Sequence, residues 1–225
     1  MTSPSERIRS IKQVLPDGVR LVAVSKFHPA SMIQEAYDGG QRIFGESHVQ
    51  ELVAKHDALP EDIQWHFIGH LQTNKVKYMI PFVSLIHSVD SVKLLKEINK
   101  QAQKVDRVVD VLLQLHVAAE ETKFGFSPDE VVEMLDGGEW KELLNVRIVG
   151  LMAMATNTDD EEQIAGEFEQ VRALFGRLKE HYFSDKAEFK YISMGMSGDY
   201  LIAQEHGSTM VRVGSVIFGE RDYSH

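Results

Sequence analysis

The stretch "LVAVSKFHP", residues 21–29, places a lysine at the end of an apolar run, one serine beyond it, and three residues before a proline. A primary amine held there can attack a carbonyl carbon and form a Schiff base. Near the other end of the chain, "TMVRVG" sets Arg212 between Val211 and Val213. A guanidinium donates hydrogen bonds from a planar fork and accepts none. Between and after these residues, "SMGMSGD" and "VRVGSVIFGE" bring Ser193, Ser197, Gly214 and Ser215. Glycine lets the backbone approach a ligand and serine adds a hydroxyl, a combination suited to holding a phosphate. The histidines of "HFIGH", His66 and His70, stand four apart. That spacing makes a metal pair on a helix, but this segment reads as strand and loop, so no metal is expected. "GMSGD" lacks the second-glycine position of a hydrolase elbow, and there is no G-x-x-x-x-G-K-[ST] loop.

The elements that must position these groups alternate. Short β-branched runs occur at "RLVAVSK", "RIFGE", "QWHFIG", "FVSLIHSVD", "VVDVLLQLHV", "VRIVGLMAM", "KYISMGM" and "TMVRVG". Amphipathic segments over 5–15, 31–38, 49–59, 74–79, 91–104, 128–138, 160–182 and 200–205 predict helices. Strand–helix alternation implies a parallel sheet. Eight such units without a linker predict a single (β/α)8 TIM barrel over 1–225, with residues 1–18 as an extra helical segment packed on it; a doubly wound open sheet is the alternative.

A barrel of this kind carries its site at the carboxyl ends of the strands. Lys26 is expected to close strand one, Glu46 strand two, Ser88 and Asp90 strand four, and His116 strand five. His66 lies in strand three, Met152 and Met154 end strand six, and Ser193 and Ser197 flank the end of strand seven. Alternation places Val22, Val24 and Lys26 on one face of strand one, and sets Arg212 opposite the valines beside it. Lys26 and Arg212 are therefore expected to share the barrel mouth. The methionines of "GLMAMAT" and "SMGMS" read as packing for a core or pocket.

Composition narrows the classes. The 225-residue chain carries a formal net charge of −10 and no cysteine. The charge disfavours a nucleic-acid surface, and the missing thiols exclude disulfides and cysteine-ligated zinc. No apolar run reaches the length of a membrane span. The amphipathic start, "MTSPSERIRSIKQVL", lacks a signal-peptide core, so a cytoplasmic protein is expected.

A lysine and a phosphate cradle in one mouth point to a phosphorylated aldehyde, with pyridoxal 5′-phosphate the expected cofactor. Attack requires the neutral amine, which partial burial and a neighbouring cation both favour. The motifs "AVSKFHP", "FGESHVQE", "WHFIGHLQTNK", "HSVD", "ETKFG", "GLMAMAT", "SMGMSGDY" and "GSTMVRVGSVIFGERDY" closely resemble the YggS/PROSC family of pyridoxal phosphate homeostasis proteins. The resemblance implies a barrel like that of alanine racemase, a fold-type-III-like architecture among pyridoxal-phosphate proteins. It implies that Lys26 carries the Schiff base, that Ser197, Gly214 and Ser215 hold the phosphate with Ser193 nearby, and that Arg212 faces the pyridine nitrogen. Ser47, His66, Met152 and Met196 complete the expected cofactor pocket, and Lys123 matches a second lysine implicated in the family. Ser47 stands where the family usually has Asn, and Gly198 replaces a commoner polar residue.

Two functions follow from different classes. The resemblance implies a non-enzymatic protein that stores, buffers or delivers pyridoxal phosphate, with apo-enzymes as possible recipients. The alternative is an amino-acid racemase with Lys26 as one catalytic base. Racemisation needs a second acid/base group on the opposite face, which alanine racemase takes from a further domain. A chain closing soon after strand eight is expected to lack it, unless Tyr223 or another local group substitutes. A monomer is expected on the same ground. A metal-dependent barrel hydrolase has only the histidines in its favour.

Overall fold

The β-branched runs become eight short parallel strands: β1 (Arg20–Val24), β2 (Ile43–Glu46), β3 (Gln64–Phe67), β4 (Leu85–Val89), β5 (Val109–Leu115), β6 (Val146–Ala153), β7 (Tyr191–Ser193) and β8 (Met210–Val213). Each pairs with its neighbours in chain order and β1 pairs with β8, closing the barrel. The doubly wound alternative is thereby excluded. The structure, a computed structural model, describes residues 2–120 and 124–219. Lys123 and Tyr223 lie outside the described residues.

The helices are α1 (Pro4–Val14), α2 (Ala30–Asp38), α3 (Val49–Ala58), α4 (Val76–Met79), α5 (Val92–Lys104), α6 (Pro128–Gly137), α7 (Glu161–His181), α8 (Tyr200–Glu205) and α9 (Ser215–Phe218). Their starts are chemically marked. Ser3 and Ser127 form capping boxes with Glu6 and Glu130, Ser91 caps α5, and Asp160 caps α7 by accepting from the Glu162 and Gln163 amides. Such a cap contributes about 1 kcal/mol.

Strand alternation divides the apolar side chains into two layers. Val22, Leu85, Leu112, Val149, Met152 and Met210 pack together inside the barrel. Leu21, Ala23, Phe44, Trp65, Phe67, Ile86, Leu151, Val211 and Val213 join the larger layer between strands and helices. β8 therefore turns its valines to the helices, which leaves Arg212 on the same inner face as Met210.

The N-terminal helix has a definite place. After β8 the described chain forms only the single turn of α9, too short to cover its side of the barrel. Helix α1 packs against both α2 and α9. It buries Ile8 and Ile11, while Ser5 Oγ donates to the Glu35 carbonyl at 2.7 Å and Arg7 Nη1 to the Ile217 carbonyl at 3.0 Å.

Candidate functional site at the barrel mouth

The mouth is assembled from the two ends of the chain. Register pairs Val22 with Arg212 and Ala23 with Val213. β1 ends at Val24, so Lys26 lies in the turn beyond it rather than closing the strand, and it is half-buried. Beside this turn, Gly214 packs so closely that an added Cβ would lie 3.1 Å from the Val24 carbonyl oxygen. The Gly214 amide donates to Ser197 Oγ at 3.2 Å, joining the loops after β7 and β8. Ser215 follows, exposed, and Met196 is exposed on the β7 loop. Gly195 carries φ +94° in that loop, and its carbonyl accepts from the Arg212 amide at 2.9 Å. The left-handed conformation suits glycine.

Arg212 is 4% exposed. Its Nη1 donates to the Ser193 carbonyl at 2.8 Å and to Ser193 Oγ at 2.6 Å, and its Nη2 to the Ala153 carbonyl at 3.0 Å. Burial lowers its pKa to about 10, which leaves it protonated at neutral pH. Because arginine only donates, Ser193 Oγ accepts from it, and the same oxygen lies 2.9 Å from His87 Nδ1. His87 Nε2 in turn lies 2.9 Å from His66 Nδ1. Arg212, Ser193, His87 and His66 thus form one continuous hydrogen-bonded chain. Burial holds both imidazoles neutral, pushing His66 down to about 3 and His87 well below the usual range.

Several expected rim residues sit elsewhere. Glu46 continues the outward series of Phe44 and lies fully buried against α3, where Lys55 Nζ donates to its Oε1 at 2.8 Å. His116 falls just past β5, its ring nitrogen 2.9 Å from the Glu120 carbonyl. His70 is on the surface, 3.1 Å from Asp90 Oδ2 and stacked on Phe124, while His66 is enclosed in the barrel. These histidines do not converge. Met152 lines the interior and Met154 packs beside it. Ser47, half-buried, follows β2, and its backbone abuts Gly69, where a Cβ would meet the Ser47 carbonyl oxygen at 2.3 Å.

His87, Ser25 and Lys55 were not singled out by the sequence reading. For His87 a signal existed: a lone histidine inside the apolar strand "SLIHSV". The β-bulge in β4 between Ile86 and Val89 obscures its facing, because both flanking residues point outward although three apart.

A sequence profile of the family described as alanine racemase, N-terminal domain, matches residues 4–222. The chain belongs to the alanine racemase N-terminal domain family. Within that family, it is 42% identical over 205 residues to the pyridoxal phosphate homeostasis protein of Aquifex aeolicus, covering 91% of this chain and 88% of that protein. The solved structure of PipY from Synechococcus elongatus with pyridoxal phosphate bound superposes with a TM-score of 0.87 at 35% identity, covering 96% of this chain and all of that one. The alanine racemase of Streptomyces coelicolor matches with a TM-score of 0.78 at 18% identity, and this chain spans 57% of it. That likeness concerns the fold. The resemblance carried by the sequence motifs is thereby confirmed at the level of family and barrel.

Proposed function

We propose that this protein binds pyridoxal 5′-phosphate through Lys26 and acts in the homeostasis of that cofactor, storing, buffering or delivering it without robust catalysis. The observation that carries the reading is the meeting, at one mouth, of the Lys26 turn, the buried Arg212 and the joined Ser197–Gly214 loops. The donor set fits an anionic, aldehyde-bearing aromatic ligand: an amine, a guanidinium, hydroxyls and a backbone stripped of side chain at Gly214.

Pyridoxal phosphate supplies an aldehyde that condenses with a primary amine, and a ring that can take up electrons. Lys26 would offer the amine. Ser197, Gly214 and Ser215 would hold the phosphate, with Ser193 behind them. Arg212 would face the pyridine nitrogen; as a donor that keeps its own proton, it would leave the nitrogen unprotonated and the ring a weak electron sink. Ser47, His66, Met152 and Met196 would complete the pocket, and Lys123 would serve as a second contact. The relatives' designation as homeostasis proteins supports a carrier, whereas the racemases are related at the level of fold. The protein would work inside the cell as a single 1–225 domain and as a monomer, with apo-enzymes as recipients.

The test is to add pyridoxal phosphate, reduce with borohydride and map the label by mass spectrometry. Label on Lys26, lost together with the visible absorption band in Lys26→Ala, is expected. A protein that binds no pyridoxal phosphate overturns the reading. Incubating loaded protein with amino acids in deuterated water separates the roles: slow or absent α-proton exchange is expected, and fast exchange with racemisation would make it an enzyme.

A further inference from the structure

Lys26 is flanked on both sides by residues tied to one buried cluster. On the near side, Ser25 Oγ donates to Glu46 Oε1 at 2.6 Å, and the Ser25 carbonyl accepts from Lys55 Nζ at 2.8 Å. On the far side, the Phe27 amide donates to Glu51 Oε1 at 2.7 Å. Lys55 Nζ closes the cluster by donating to Glu46 Oε1 at 2.8 Å and Glu51 Oε1 at 2.7 Å. All three donor bonds of its ammonium are thus engaged. Glu51 and Lys55 are one turn apart on α3, and Glu46 ends β2. Two elements of the barrel wall therefore grip the turn that follows a third.

The turn needs gripping. Phe27 has φ +65°, a left-handed conformation that a bulky side chain rarely adopts and that persists only where surroundings enforce it. Glu51 fixes the amide of that residue, and the Phe27 ring lies 5.1 Å from that of His48. Lys55 is 7% and Glu46 0% exposed, so water competes little for the bonds between them, while the Glu51 side chain is 23% exposed. Packing alone does not call for charge here; a buried ammonium with two carboxylates is a costly way to fill space.

We infer that the Glu46–Lys55–Glu51 cluster is a positioning device for the Lys26 amine, holding residues 25 and 27 so that the amine is presented to the mouth in a fixed direction. Glu51, Lys55 and Ser25 are positioning residues that act through the backbone on either side of Lys26. The inference rests on the reading that Lys26 is the attachment point for pyridoxal phosphate. A pre-set turn spares the ligand the cost of ordering it.

The experiment compares full-length wild type with Glu51→Ala, Glu51→Gln and Ser25→Ala. Affinity for pyridoxal phosphate is read from the absorption change, attachment rate at saturating ligand by stopped flow, and folding by thermal unfolding. Glu51→Ala is expected to weaken affinity or slow attachment at least tenfold. Glu51→Gln retains an acceptor oxygen for the Phe27 amide and is expected to stay within threefold of wild type. Ser25→Ala removes one buried hydroxyl, leaves the barrel packing, and is expected to fall in the same direction; it decides the matter if Glu51→Ala does not fold. Wild-type affinity and rate in folded Glu51→Ala or Ser25→Ala, or equal losses in Glu51→Ala and Glu51→Gln, overturn the inference. If wild type carries no borohydride-fixed label on Lys26, the functional reading has failed instead.

Discussion

At the scale of single residues, the interior of the barrel and its outer wall titrate in opposite senses. An unfolded chain protonates its histidines as pH falls through about 6.5. The folded chain keeps His66 neutral to about 3, and His87 is likewise held down by burial. Their stabilisation is therefore lost on acidification. Glu46 opposes them: burial raises it from 4.5 to about 7, so the folded state holds a proton that the unfolded carboxyl has released. Between pH 4.5 and 6.5, two histidines outweigh one carboxyl, and stability should climb with pH. Glu46→Gln removes the opposing group and should steepen that climb. Denaturant midpoints across the window read both slopes; a flat wild-type profile contradicts the assignment. Little of this balance was legible in the sequence. Arg212 could be placed by its register with valines, because alternation holds along a regular strand, whereas Lys26 lies past the end of β1, where that alternation stops. His87 escaped because a bulge breaks that alternation, and Lys55 because its partners come from elements that only the closed barrel brings together.

At the scale of elements, type and order were readable, while ends were less so. β-branched runs and capping residues are local signals, which is why α8 falls at the expected residues 200–205 and α5, Val92–Lys104, fills the expected 91–104. Strand ends depend on where pairing with a neighbour stops, so β7 shrinks to Tyr191–Ser193 from a longer apolar run. Glycines separate into two kinds. Gly150, φ +155°, lies so close to the Tyr191 backbone that a Cβ there would overlap its carbonyl. Gly166 and Gly176 are exposed within α7, with nothing near an added Cβ. Gly166→Ala and Gly176→Ala should each stabilise the protein by about 0.5–1 kcal/mol. Gly150→Ala should destabilise it by several times that through displacement of β6 from β7. Thermal melts of the three variants measure the contrast, and a neutral Gly150→Ala would contradict the packing described.

At the scale of the molecule, the division of labour is clear. The helix-facing layer carries most of the apolar burial, and the interior carries the hydrogen-bonded chain from Arg212 to His66. The seam between β1 and β8 joins residue 22 to residue 212, so the amine and the loops beside it come from opposite ends of the polypeptide. In time rather than space, this makes ligand capture a late event. During synthesis, the lysine is made nearly two hundred residues before the strand that completes its mouth, and helical segments form far faster than contacts of such long range. Refolding from denaturant in the presence of pyridoxal phosphate should show the far-ultraviolet helical signal recovering first and the visible band trailing it. On the proposed function, a nascent or damaged chain lacking its last strand would hold no cofactor, and colour would report that the ring has closed.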